Sequence, residues 1–170
     1  FAEKYTESYD PGIPQDLVYS GTYDLTQPCP YKPEIDMGKL VLSPTRTYAP
    51  IMQEILKQYR NVIGGVVHCS GGAQTKVLHF INNLHIVKDN LFDLPPLFRI
   101  IHEESQTDWK EMYKVFNMGH RLEIYLDEKY AQDLIEISKS FGVEAQIIGH
   151  VEASTTKRLT VKSGNGVFEY

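Results

Sequence analysis

The sequence predicts an α+β protein built in α/β-type layers, with a mixed, largely antiparallel sheet and helices packed on it. Three observations lead there. From residue 37 onward, segments with helical spacing alternate with short strand-like runs, the pattern of helices laid on a sheet. The last two runs, Arg158–Lys162 and Val167–Tyr170, flank Asn165-Gly166, a strong hairpin signal that requires antiparallel pairing. The chain has 170 residues, 42% hydrophobic and 23% charged, enough for one folded unit without disulfides or a structural metal.

The first 36 residues hold five of the nine prolines, at positions 11, 14, 28, 30 and 33. Proline fixes φ and removes a donor, so 1–36 reads as an extended connection or insertion. At most a short strand around Leu17–Tyr19 breaks it, ahead of a domain spanning 37–170. Lys39–Leu42 reads as a short strand. Tyr48, Met52, Ile55, Leu56 and Tyr59 then recur at helical spacing, with Thr47 as cap and Pro50 in the first turn. Gly64–Cys69 suits a buried strand, Gln74–Phe80 a helix and Leu84–Val87 a strand. Leu97–Glu104 follows the Pro95-Pro96 breaker as a helix, and its neighbouring carboxylates Glu103-Glu104 are expected in solvent. Trp109, Met112, Tyr113 and Phe116 mark one face of the next helix. Leu122, Ile124 and Leu126 alternate with Glu123 and Tyr125 as in a half-buried strand. Glu128–Phe141 is an amphipathic helix stopped by Gly142, and Glu144–Glu152 is a strand candidate.

Charge and composition narrow the function. A net charge of −5 argues against a broad nucleic-acid-binding face, and no apolar run approaches the ~20 residues of a membrane span. Two cysteines, Cys29 and Cys69, are too few for a disulfide scaffold and suit a reducing cytoplasm. The six histidines show neither H-E-x-x-H spacing nor close cysteine partners, so no metal site is expected. The chain opens on Phe1 instead of Met, from which one expects a piece of a longer protein.

Two junctions suit a phosphorylated ligand. Ser43-Pro44-Thr45-Arg46-Thr47 precedes a helix start, where free N–H groups and Arg46 can meet an anion; a capping turn with a solvated Arg is the plainer alternative. In His68-Cys69-Ser70-Gly71-Gly72-Ala73 a strand runs into a glycine turn and then a helix, letting backbone approach a ligand closely. The spacing is not that of a Walker loop. Nor do His68 and Cys69 make a nucleophile pair, since adjacent strand residues point to opposite faces. Phe116-Asn117-Met118-Gly119-His120-Arg121 turns from helix to strand; Asn117 either bonds a ligand or closes the turn.

Taken in order, these motifs resemble a known family, the aminoimidazole ribonucleotide synthetases (phosphoribosylformylglycinamidine cyclo-ligases). Leu42–Tyr48 resembles its L-x-P-T-R-x-Y element, Val67–Ala73 its A-H-x-T-G-G-G turn, and Glu111–Gly119 its E-M-x-R-x-F-N-x-G segment. The similarity runs from Met37 to the end and matches only the C-terminal half of that enzyme. It implies the fold of that superfamily's C-terminal domain and a role as the cleft-closing, substrate-side half of a ligase of de novo purine biosynthesis. The family uses ATP and Mg²⁺ to close formylglycinamidine ribonucleotide to aminoimidazole ribonucleotide. The N-terminal domain of the same protein, absent from this chain, supplies most ATP and Mg²⁺ contacts and the homodimer interface. The resemblance places Thr45, Arg46, His68, Ser70, Gly71, Gly72, Asn117 and Gly119 at the cleft, with His68 orienting or polarising a reacting group as the catalytic candidate.

The chain departs from that pattern at Ser70 for Thr, Ala73 for the third Gly, Lys114 for Arg, and His120-Arg121 where small or apolar residues are common. Two alternatives stand beside the cyclo-ligase. One is a relative in the same ATP-using superfamily: formylglycinamidine ribonucleotide synthetase, selenophosphate synthetase, thiamine-monophosphate kinase or a hydrogenase maturation protein. The other is a phosphate-ligand-binding module without catalysis.

Overall fold

The computed structural model describes residues 7, 10–14, 21–44 and 46–170. In chain order the described elements are β1 (Pro28–Cys29), β2 (Lys32–Asp36), α1 (Met37–Val41), α2 (Ala49–Tyr59), β3 (Ile63–His68), β4 (Leu84–Lys88), α3 (Pro96–Ser105), α4 (Trp109–Val115), β5 (Leu122–Leu126), α5 (Ala131–Ser140), β6 (Gly149–Ala153), β7 (Arg158–Ser163) and β8 (Gly166–Glu169). The chain forms two compact units, Phe1–Thr45 with Pro95–Asp108, and Arg46–Leu94 with Trp109–Tyr170.

In the first unit β1 and β2 pair antiparallel, and Cys29, Met37 and Ile100 form a small core with Tyr23, Ile35 and Leu40 against it. The expected strand at Leu17–Tyr19 lies outside the described residues. The strand expected at Lys39–Leu42 is instead helix α1. Asp36 Oδ1 accepts the Lys39 amide at 2.7 Å, an N-cap bond that starts a helix where a short apolar run read alone is ambiguous. Glu103 and Glu104 are exposed, as expected, and also have partners. Glu104 accepts the Thr22 amide at 2.6 Å and its hydroxyl at 2.7 Å, and Glu103 accepts the Tyr31 hydroxyl under the Arg99 guanidinium.

In the second unit α2 and α5 cover the antiparallel β3–β5 ladder. Ile51, Ile55 and Leu134 are buried there against Met52, Tyr59, Ile63, Ile124, Leu126 and Ile137. Pro50 sits in the first turn as expected. Tyr48, not Thr47, holds the N-cap position, and the Thr47 hydroxyl lies 3.5 Å from the Ala49 amide. A separate sheet runs β6-β4-β7-β8, with β4 and β7 parallel and the other pairs antiparallel. The mixed, largely antiparallel character is therefore as expected, but it is distributed over separate sheets.

Local boundaries differ for identifiable reasons. The segment after the glycine turn winds as a 3-10 helix over Ala73–His79, not as an α-helix. The strand expected from Glu144 begins only at Gly149. Ile148 O accepts both Asp89 and Asn90 amides, and the Asn90 side chain donates to Ile147 O at 2.6 Å, which ends the ladder there. The hairpin turn is Gly164-Asn165, one residue earlier than expected, and Gly166 opens β8 at φ 135°. Glu123, assigned to the solvent side of its strand, is buried at 5% exposure because the strand is covered on both faces.

Candidate phosphate site

The β3–β5 ladder sets His68 opposite Leu122, and the Cys69 amide donates to Arg121 O at 2.9 Å. Antiparallel pairing thus brings the turn leaving β3 beside the turn entering β5, although the two are some fifty residues apart in sequence. In the first turn the Ser70 amide donates back to His68 O at 2.8 Å and the Ala73 amide to Ser70 O at 2.7 Å. Gly72 and Ala73 both take positive φ, 83° and 42°. In the second turn Met118 and Gly119 do the same at 53° and 97°, and Asn117 Oδ1 accepts the Gly119 amide at 2.9 Å. Asn117 therefore closes its own turn. Ala73, where glycine was expected, keeps the left-handed backbone at a cost of about 1–2 kcal/mol for its Cβ.

The two turns are bonded to each other. Gln74 Nε2 donates to Asn117 O at 2.7 Å, and Gln74 is fully buried. Lys76 reaches back so that its Nζ donates to Ser70 Oγ at 2.7 Å, bringing a cation to the glycine turn. Among the described residues the Gly71 and Gly72 amides take no intrachain acceptor, and a Cβ built on Gly71 meets nothing within 4 Å. His68 ends β3 with an exposed side chain. His68, Ser70, Gly71, Gly72, Asn117 and Gly119 are thus brought together. Arg46 is not among them: its Nη1 donates to Gly142 O at 3.0 Å, just beyond α5. Thr45 lies outside the described residues.

A family model, "AIR synthase related protein, C-terminal domain", matches residues 26–162. The chain belongs to this family. Among curated relatives of the AIR synthase related domain, it is 33% identical over 135 residues to phosphoribosylformylglycinamidine cyclo-ligase of Methanopyrus kandleri, covering 79% of this chain and 38% of that protein. It is 31% identical over 137 residues to the enzyme of the same name from Syntrophus aciditrophicus, covering 75% and 37%. The chain therefore spans well under half the length of the curated relatives it matches. Its backbone is similar to that of E. coli HypE, a hydrogenase maturation protein, with a TM-score of 0.51 and 15% identity over 77% of this chain and 43% of that one. That likeness concerns the fold alone.

Sequence reading missed Gln74, Lys76, Lys88 and Glu123 in this AIR synthase related domain. Lys88 and Glu123 form a buried ion pair directly behind the turns, 2.5 Å between Nζ and Oε1, at 1% and 3% side-chain exposure. The available signal was a Lys directly after the strand expected at Leu84–Val87 and a Glu inside the strand expected to be half-buried at Leu122–Leu126. Among the described residues no group of three or more His, Cys, Asp or Glu side chains could hold a metal ion. No described helix is long and apolar enough to cross a membrane.

Burial sets the protonation of the groups beside the turns. The Cys69 thiol is pushed up to about 12 by burial and then by the Glu123 charge, so it stays a thiol and offers no nucleophile at neutral pH. Burial is also the first cause, and Glu123 the second, of a strong rise at the Tyr125 hydroxyl, which donates to Glu123 Oε2 at 2.6 Å. His120 moves the other way, from 6.5 to about 4, because burial disfavours its charged form. Its Nε2 accepts the Phe92 amide at 3.2 Å, which requires the neutral ring.

A pKa lowered by folding means that stability is fully present above 6.5 and is lost as pH falls toward 4. His120 should therefore remove about 3 kcal/mol of stability across that window. Urea unfolding at several pH values checks this. His120→Gln should flatten the acid loss by that amount, and an unchanged slope would contradict the assignment.

Proposed function

We propose that this chain is the substrate-side, cleft-closing domain of a phosphoribosylformylglycinamidine cyclo-ligase, with the two bonded turns forming a cradle for a phosphate group. The observation that carries the reading is the pair of amides at Gly71 and Gly72 that take no acceptor among the described residues, in a turn that also holds the Ser70 hydroxyl and the Lys76 ammonium. Adjacent backbone N–H groups with a nearby cation favour a phosphate, and the family to which the chain belongs makes a ribonucleotide substrate the natural candidate.

In this reading formylglycinamidine ribonucleotide is the ligand and aminoimidazole ribonucleotide the product of purine biosynthesis in the cytoplasm. ATP supplies the phosphoryl group that turns the amide oxygen into a leaving group, and attack by the closing nitrogen then releases phosphate. ATP and Mg²⁺ belong to an N-terminal domain, as does the homodimer contact. This chain's part is to bind and orient: the amides and Lys76 hold negative charge, and His68 stands exposed at the strand end where it can orient or polarise a reacting group. Arg46, spent on the Gly142 carbonyl, would join the ligand only by leaving that bond.

The test compares two proteins. The product of the complete reading frame should form aminoimidazole ribonucleotide from formylglycinamidine ribonucleotide and ATP, whereas the 170-residue chain by itself should hydrolyse no ATP. Absence of cyclisation by the complete protein, or ATP turnover by this chain alone, would sink the proposal.

A further inference from the structure

We propose that the buried pair Lys88–Glu123 is a positioning device that sets the spacing of the two turns, acting through Gln74. The idea rests on the reading of those turns as a phosphate cradle and names what holds the cradle in shape.

Lys88 is the last residue of β4 and Glu123 lies in β5, so the pair joins two strands belonging to different sheets. All three donors of the ammonium are used: on Gln74 O at 3.0 Å, on Gln74 Oε1 at 2.9 Å and on Glu123 Oε1 at 2.5 Å. The other Glu123 oxygen accepts the Tyr125 hydroxyl at 2.6 Å. Gln74 is thereby fixed in one orientation. Its side-chain oxygen faces Lys88 and its nitrogen faces Asn117 O, and flipping the amide would set donor against donor and acceptor against acceptor.

The chain of bonds runs from the ion pair to Gln74, and from Gln74 to the carbonyl of the residue that closes the second turn. Gln74 itself stands two residues beyond Gly72. Among the described residues no buried side-chain nitrogen or oxygen is left unbonded, so this network is fully satisfied. A buried ion pair is seldom the cheapest way to fill a core, since matched apolar side chains do as well or better. What it adds is directionality: a fixed length and angle between two loops that no backbone ladder connects beyond Cys69–Arg121.

The test replaces both charges together, Lys88→Met with Glu123→Leu, so that no unpaired charge is left buried. Gln74→Met is the second variant; it keeps the ion pair and the backbone acceptor Gln74 O, and removes the side-chain bonds to Asn117 O and from Lys88. Proteins labelled with ¹⁵N-glycine report the amides of Gly71, Gly72 and Gly119. In both variants the Gly72 and Gly119 resonances should move together. In the complete protein the KM for formylglycinamidine ribonucleotide should rise about tenfold while kcat changes little, a split that loss of stability alone does not produce.

Unmoved glycine amides in a folded variant would overturn the inference. A wild-type titration with inorganic phosphate separates the two readings. If the wild-type glycine amides ignore phosphate yet shift in both variants, the cradle reading fails and the positioning role stands. If they respond to phosphate and neither variant moves them, the cradle stands and the positioning role fails.

Discussion

Gly149→Ala should destabilise the second unit by about 3 kcal/mol or more, the upper range for forcing atoms into a packed interior. Gly149 opens β6 opposite Lys88 of β4. A Cβ built there would lie 1.8 Å from Val87 O, 2.8 Å from Val87 C and 2.9 Å from Lys88 Cα. All three are backbone atoms, so no rotamer change relieves the clash, and β6 must move off β4. Moving it breaks ladder bonds and disturbs the strand that carries Lys88. Gly71→Ala is the matched control, because its Cβ meets nothing within 4 Å, and it should stay within about 0.5 kcal/mol of the parent. Urea unfolding of the three proteins decides the matter, and equal midpoints for Gly149→Ala and the parent would refute the steric account.

Legibility in the sequence followed the range of the interaction that fixed each feature. Helices α2 through α5 and strands β3, β4, β5, β7 and β8 were readable because their apolar spacing and flanking turn residues are local signals. So were the glycine turn and the Asn117–Gly119 turn, whose positive φ values sit on or next to glycine. Where one local bond outweighed the pattern, the reading failed. A single Asp36 carboxylate turned Lys39–Leu42 from strand to helix, and the Asn90 contacts with Ile147 and Ile148 delayed β6 by five residues relative to the expected start at Glu144.

The site divided along the same line. His68, Ser70–Gly72 and Asn117–Gly119 announce themselves by residue type, and strand pairing brings them together. Arg46 also announces itself, yet its guanidinium is taken by a carbonyl 96 residues away, a partner that no sequence window contains. Gln74, Lys88 and Glu123 escaped notice for the opposite reason. Each is unremarkable in its own element and acquires meaning only when β4 is brought against β5. Alternation made Glu123 look like a solvent-side residue; a strand covered on both faces gives its polar positions no solvent side, so they must pair.

That pairing predicts a sharp non-additivity. Lys88→Met alone should cost about 3–5 kcal/mol, because it leaves the buried Glu123 carboxylate without the ammonium that pairs it, and strips the acceptors of Gln74 of their donor. Glu123→Leu alone should cost a comparable amount by stranding the ammonium. The double variant should return to within about 1–2 kcal/mol of the parent, since both desolvation penalties vanish together and two apolar side chains fill the space. The coupling measured by this cycle would then be several kcal/mol. A small coupling would mean that water reaches the pair despite 1% and 3% exposure, and that the link to Gln74 is held by something else. A large coupling with a stable double variant separates two properties that burial usually confounds. The fold would not need the charges, and any loss of turn geometry in that variant would belong to the network itself.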